Sequence, residues 1–330
     1  MKHLFVASVV AGALSALAPG VEAAACTPTG FIRDSINMTA ALINPVGTVS
    51  GVVDAAGCNI GIYYDHTGSG GTVNAEVKNS NYFGVLVNGD AGIVGVDVLN
   101  SNIHDIGESP LNGGQHGVAI YYRGFSDSSA VTGKVSGNRI SKYQKGGIVA
   151  NGPATQVAVS DNTVVGEGHI SYIAQNGVQI GYGASASVMR NTVSGNSYVG
   201  LGGWSSGGIL VLGGACYQGA LTTGIQIVQN TLANNDVGVY LSNGDSDGDF
   251  CSAPADPTNV KVVNNTISSD LCFNAAYQAG VSDVGNNDKI INNKISGPGY
   301  VGCSTAWNPA GVAVDAALSF TNRPKVHANK

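Results

Sequence analysis

Charge is scarce in this chain. Of 330 residues only 11% are Asp, Glu, Lys or Arg, and the formal net charge is −6. An acidic chain without a basic tail argues against general nucleic-acid binding, because that needs lysines and arginines to neutralise phosphates. After the N-terminal segment no apolar run reaches the roughly eighteen residues that a membrane-spanning helix requires. Apolar spacing at i, i+3, i+4 and i+7 is missing there too, so helices are not expected. CxxC pairs and Cys/His clusters at zinc spacing are absent, which sets aside a structural zinc module. What is plentiful is glycine, 48 residues of it, alongside 43% hydrophobic content rich in Val and Ile. That content builds a core and argues against a disordered chain.

The one long apolar run opens the sequence. Lys2 is followed by "LFVASVVAGALSALA" and then "PGVEAAAC", the layout of a secretory signal peptide. Val21 and Ala23 satisfy the small-x-small rule, so residues 1–23 are expected to be removed; a cut after Ala25 also fits. The expected product is a secreted, extracellular or periplasmic monomer with no membrane association, folded as one domain over residues 24–330. Six cysteines remain in it: Cys26, Cys58, Cys216, Cys251, Cys272 and Cys303. An even number in an exported chain favours disulfides. Pairing in chain order, 26–58, 216–251 and 272–303, is the working expectation among about fifteen possibilities. Lipidation of Cys26 is the weaker reading: "AAAC" lacks a large aliphatic residue three places earlier, and an odd thiol would be left over.

Periodicity decides the architecture. Gly followed by alternating apolar residues recurs as "GIYY" at 61, "GVLV" at 84, "GVAI" at 117, "GIVA" at 147 and "GVQI" at 177. It continues as "GILV" at 208, "GVYL" at 238, "GVSD" at 280 and "GVAV" at 311. Out of phase with it runs Asn-x-aliphatic: "NRI" at 138, "NTV" at 162 and 191, "NTL" at 230, "NTI" at 265 and "NKI" at 293. Repeats of this length with short strands and no helix indicate a solenoid. The expectation is all-β: a single-stranded, right-handed parallel β-helix of about nine coils, since parallel crossovers are almost always right-handed. The repeated Gly is expected to make the corner into each strand, and the repeated Asn to sit in turns where its amide bonds backbone or a neighbouring Asn.

These Asn-x-Ile and Gly-Ile-x-Val repeats, over residues 50–320, resemble the right-handed parallel β-helix superfamily with the pectin-lyase-like fold. The resemblance implies that fold and a carbohydrate-directed role. The superfamily spans polysaccharide lyases, glycoside hydrolases, uronate epimerases and adhesins, and fold does not choose among them.

Intervals longer than one coil mark loops, at 104–116, 123–134, 166–176, 196–207 and 243–257, and such loops often build a binding face. The scarce titratable groups gather there. His104, Asp105, Glu108, His116, Lys142, Lys145, Glu167 and His169 are the candidate catalytic residues. Arg123, Tyr121, Tyr143, Tyr172 and Trp204 are candidates for holding a polysaccharide or oligosaccharide. Elimination from a uronate needs a cation for the carboxylate, a base for the C5 proton and an acid for the leaving oxygen. Lys142 or Lys145 fits the first role, a His or Lys the second, and Tyr143 or Tyr172 the third. A glycoside hydrolase would instead use two carboxylates from Asp105, Glu108 and Glu167. "GQHG" at 114–117 is similar to the Gly-His-Gly motif of polygalacturonase-type hydrolases, but Gln115 interrupts it and no "NTD" or "DD" precedes it.

The expected function is therefore lyase or epimerase chemistry on an acidic glycan, with hydrolysis second. A non-catalytic, glycan-binding adhesive protein is the rival from another class. The bland alternative for each titratable residue is a solvated loop side chain. Calcium is the one cofactor the sequence suggests. Asn243, Asp245 and Asp247 alternate in "NGDSDGD" like the start of a calcium loop, although Pro254 stands where a closing Glu would be.

Overall fold

A computed structural model describes residues 25–247, 250–274, 277–300, 310–314 and 325–327. The expected signal peptide, and Cys303 with it, lie outside these residues. The described chain is all-β, without an α-helix; one 3-10 turn, Ala215–Tyr217, is the exception to strand and loop. No helix among the described residues is long and apolar enough to cross a membrane.

Two long sheets carry the fold, one of 11 strands and one of 17. Pairing within them is parallel except at one edge, where Thr27–Arg33 runs antiparallel to Ile36–Ile43. That edge is tied by the Cys26–Cys58 disulfide. A second disulfide, Cys216–Cys251, joins the 215–217 turn to the hairpin Asp245–Asp247 with Phe250–Ser252. Both follow chain order, as expected.

In the 11-stranded sheet the central strands are Phe83–Asn88, Val118–Arg123, Gly146–Asn151, Asn176–Gly181, Gly207–Gly213 and Val237–Asn243. Their in-register pairs stack Val85, Ile120, Ile148, Val178, Ile209 and Val239 in one column, all fully buried. Two residues on, Val87, Tyr122, Ala150, Ile180, Val211 and Leu241 form a second buried column. Alternation with period two sends the intervening side chains to the opposite face.

The repeated Gly has a different reason from the one its position suggested. At Gly147 and Gly177 a Cβ would come within 2.5 and 2.7 Å of the carbonyl oxygen of the next strand, so close approach and not a corner demands glycine. The "GVAI" motif is displaced. Val118 pairs with Gly146, which puts Ala119, and not Gly117, in the glycine column. Gly117 ends the preceding loop with φ +82.

The repeated Asn forms the expected ladder. From Asn138 through Asn162, Asn191, Asn230 and Asn265 to Asn293, each residue donates from its backbone N–H and its amide Nδ2 to the Oδ1 of the next, at 2.8–3.0 Å. All six are buried. Buried amides satisfied in this way cost nothing in lost hydration, whereas an unpaired one would cost about 1–3 kcal/mol.

Several expected loops are shorter than their intervals implied. Residues 130–136 are strand, and Thr163–Ile170 pairs with Thr192–Tyr198, so 166–170 and 196–198 extend the sheet past a bulge. The extra chain instead forms the segments around 105–117, 199–206 and 214–225.

Candidate functional site

Side chains on the outer face of the 11-stranded sheet line a groove of about 920 Å³. Its base crosses five strands, from Val118–Arg123 to Val237–Asn243, a span of about 19 Å at the usual strand spacing of ~4.8 Å, and Phe83 extends the lining to a sixth. The positions between the two buried columns supply its base: Tyr121, Val149, Gln179, Leu210 and Tyr240. Segments 172–174 and 203–205 supply Tyr172 and Trp204, while Tyr182 and Tyr217 come from the turns that follow their strands. Seven of the thirteen tyrosines in the chain line this one groove, with Trp204 and Phe83. Trp204 is 67% exposed, a large ring held in water beside a concave surface.

The charges in the groove are of one sign. Arg33 and Lys145 line it, and no Asp or Glu does. Both are tied to the same turn: an Arg33 Nη2 donates to the Gln115 carbonyl at 3.5 Å, and the Lys145 backbone N–H to that of Gly117 at 2.9 Å. The Lys145 ammonium donates to the Ala174 carbonyl at 2.9 Å and has no carboxylate partner among the described residues. Burial pushes its pKa down to about 8, because removing water disfavours the charged form. Burial likewise raises Tyr240 to about 12 and Tyr172 above the usual phenol value, with Glu167 adding to the latter.

Behind the groove wall, Asp236 is fully buried. Its Oδ2 accepts from the backbone N–H of Tyr198 (2.9 Å) and Ser206 (2.8 Å) and from Asn274 Nδ2 (2.9 Å). Burial raises it to about 6 against those bonds. It fixes two rim segments from beneath and does not face the groove.

Of the residues singled out from sequence, Tyr121, Tyr172, Trp204 and Lys145 line the groove. The others fall elsewhere. His104, Asp105 and Lys142 belong to a charged edge on the other sheet. There His104 Nδ1 lies 2.5 Å from Asp105 Oδ2, Lys142 Nζ 3.2 Å from Asp105 Oδ1, and Lys78 Nζ 2.8 Å from Glu76. Burial works to raise Asp105, but hydrogen bonds from His104 and Lys142 outweigh it and hold the carboxyl below its usual value. Burial raises the Glu167 carboxyl above its usual value, with Lys142 opposing and Asp105 adding to the shift. His116 Nε2 bonds Glu108 at 2.9 Å while its ring stacks on Tyr82 at 4.0 Å. His169 bonds Ser197 Oγ at 2.9 Å and packs on Phe273. Arg123 pairs with Asp90 and lies over Phe31 and Phe125. Tyr143 is fully buried and donates to Asn196 at 2.5 Å, so its hydroxyl belongs to the core and touches no solvent.

The "NGDSDGD" loop does not assemble a calcium site among the described residues. Asn243 is buried, its Oδ1 accepting from Thr222 N–H at 3.0 Å and its amide donating back to the Thr222 carbonyl. Asp245 and Asp247 lie in a two-stranded hairpin. No group of three or more His, Cys, Asp or Glu among the described residues is placed to hold a metal.

Sequence reading missed Arg33, Tyr217, Tyr240 and Tyr277. Tyr240 was legible in principle, since "GVYL" places it between the two inward residues of its repeat. Tyr217 sits in a loop whose interval matched its neighbours and so raised no signal. No protein-family model, no curated protein and no solved structure matches this chain.

Proposed function

We propose that the protein is an exported right-handed parallel β-helix of the pectin-lyase-like kind, a monomeric solenoid of about nine coils. It binds an extended acidic glycan along its aromatic groove and acts on that glycan by lyase or epimerase chemistry. The observation that carries this reading is a long groove lined by seven tyrosines and a tryptophan, with two cations and no carboxylate. Flat rings stack on apolar ring faces while phenol and indole groups bond hydroxyls. The cations select an anionic chain, on a protein that is otherwise acidic.

Lys145 is the group we assign to proton abstraction. A pKa of about 8 leaves part of it neutral near physiological pH, as a general base requires. In elimination, neutral Lys145 takes the C5 proton, the electrons form the C4–C5 double bond, and the C4–O bond breaks with protonation of the leaving oxygen by a groove tyrosine. In epimerisation Lys145 keeps the proton it removed, and a groove tyrosine delivers another to C5 from the opposite face. Arg33 offsets the charge that builds on the uronate carboxylate. Hydrolysis by paired carboxylates is the weaker reading, because Asp105, Glu108 and Glu167 do not line the groove.

The test is a screen of the purified mature protein on uronate-containing and neutral polysaccharides. It reads absorbance at about 235 nm for unsaturated uronate, reducing ends, and C5 configuration by NMR, each alongside Lys145→Met. Unsaturated product or inverted C5 from uronates only, lost in the variant, supports the assignment. Reducing ends without unsaturation would return it to the carboxylates. Binding without turnover on any acidic glycan would make the protein an adhesive binder.

A further inference from the structure

Far from the groove, one turn buries two carboxyl groups against each other. Strand Ala279–Asp283 interrupts the inward column that elsewhere holds Ile180, Val211 and Leu241: Asp283 pairs with Leu241 on one side and with Val314 on the other. A carboxylate therefore stands where the fold otherwise places an aliphatic side chain, at 2% exposure. Five residues on, Asp288 is fully buried and in contact with Asp283. Among the described residues the groups acting on this pair are each other and neutral donors, with no lysine, arginine or histidine.

The neutral donors do not use up the oxygens. Asp288 Oδ1 accepts from Thr258 Oγ1 at 2.6 Å and from Val260 N–H at 2.7 Å, and Asp283 Oδ1 from Gly285 N–H at 2.8 Å. Oδ2 of each carboxyl is buried with no donor from any other residue; what the pair has is each other, close enough to share one proton. Asn286 Oδ1 in the same turn is likewise buried without a donor. That amide is oriented by its nitrogen, which donates to the carbonyls of Pro254 (3.0 Å) and Ala255 (2.9 Å). Three such oxygens within six residues is far from the rule for buried polar groups. Gly285 lets the backbone pass close to the pair: a Cβ there would lie 2.1 Å from Asp288 Oδ2, 2.6 Å from Thr258 Oγ1 and 3.1 Å from Asp283 Oδ1.

Two buried carboxyls with no cationic side chain beside them are satisfied either by a shared proton, toward which burial and mutual repulsion push them, or by a bound cation that displaces it. The donors are all oxygen, two charged and the rest neutral, which matches a hard divalent ion of calcium type. We propose that turn 283–288 binds one calcium ion between the carboxylates of Asp283 and Asp288, with the Asn286 amide oxygen as a neutral donor. The ion's role is structural, fastening strand Ala279–Asp283 to the segment around Thr258, and it is independent of the glycan groove.

The experiment is thermal melting and calorimetric titration of the full mature protein, stripped with a chelator and returned to calcium chloride. The expected result is one site per chain and a melting temperature about 5 °C higher with saturating calcium. In Asp283→Asn and Asp288→Asn the stripped protein melts no lower than the stripped wild type, since the amide N–H replaces the shared proton between the two groups, and the calcium shift is lost. Asp245→Asn keeps the shift. Should either amide variant fail to fold, Gly285→Ala decides, because it keeps both carboxylates and crowds their oxygens; calcium affinity should fall at least about tenfold. No calcium binding by the wild type overturns the proposal, as does a shift that survives in both amide variants or disappears in Asp245→Asn. Unchanged affinity in Gly285→Ala also overturns it.

Discussion

Lys142 and Lys145 are three residues apart and face different worlds. Lys142 is 62% exposed and lies 3.2 Å from Asp105, one link in a charged edge of Glu76, Lys78, His104 and Asp105. Lys145 faces an aromatic groove, bonds a backbone carbonyl and has no carboxylate partner among the described residues. Between them, Tyr143 and Gln144 are buried and pin the turn. On the edge every charge is answered by a neighbour, and the array is spent on itself. In the groove the charge is left open. An unanswered cation beside stacked rings indicates a ligand better than a dense cluster of titratable groups does.

That contrast can be broken or sharpened by experiment. The largest expected effect is at Lys145: Lys145→Met should lower kcat about 10³-fold on a responsive uronate glycan with little change in KM, measured by initial rates. Unchanged kcat would move the chemistry off the groove. A pH profile sharpens the same point. Lys145 has its folded pKa lowered from 10.5 to about 8, so the active neutral base fills in as pH rises, and kcat/KM should climb through a midpoint near 8. By the same sign, stability should rise with pH between about 8 and 10.5, where the unfolded chain binds the extra proton. Trp204→Ala should raise KM or Kd about tenfold through lost stacking while leaving the melting temperature within error. His116→Ala should cost about 1 kcal/mol of stability, from its Tyr82 stack and Glu108 bond, with kcat unchanged, as read from denaturant midpoints. Lys142→Ala should change stability by less than about 0.5 kcal/mol and leave turnover intact, since exposed ion pairs contribute little. A kinetic collapse in Lys142→Ala would reverse the comparison.

The repeats made the strands and their inward faces legible, because a column of Ile and Val two residues apart has one reading in a parallel sheet. The Asn ladder was legible for the same reason. Register across a long insertion was not: the loop before Val118 hid that Ala119, and not Gly117, continues the glycine column. The candidate site was half legible. Residue types pointed to the 142–145 turn, but a shift of one position in a turn decides between core, edge and groove. Tyr143, Lys142 and Lys145 took those three places in turn. The carboxyl pair at 283–288 left no trace in periodicity, since Asp283 occupies a position that pattern assigns to an aliphatic residue.

The Asn ladder has a direction. Every amide from Asn138 to Asn265 donates one hydrogen to the Oδ1 of the Asn that follows and the other to a backbone carbonyl. Its own Oδ1 accepts from the rung before, which for Asn138 is Ser101 N–H. Because each rung presents the same donor and acceptor to its neighbours, the rungs are interchangeable. Removing the chain from 231 to 265 would bring Asn230 against Asn293, with the hydrogen-bond sense preserved across the seam. Length in this protein is thus a countable property, open to change by whole repeats through duplication or loss, while the loops absorb repeats of unequal size, from 24 to 39 residues between successive Asn.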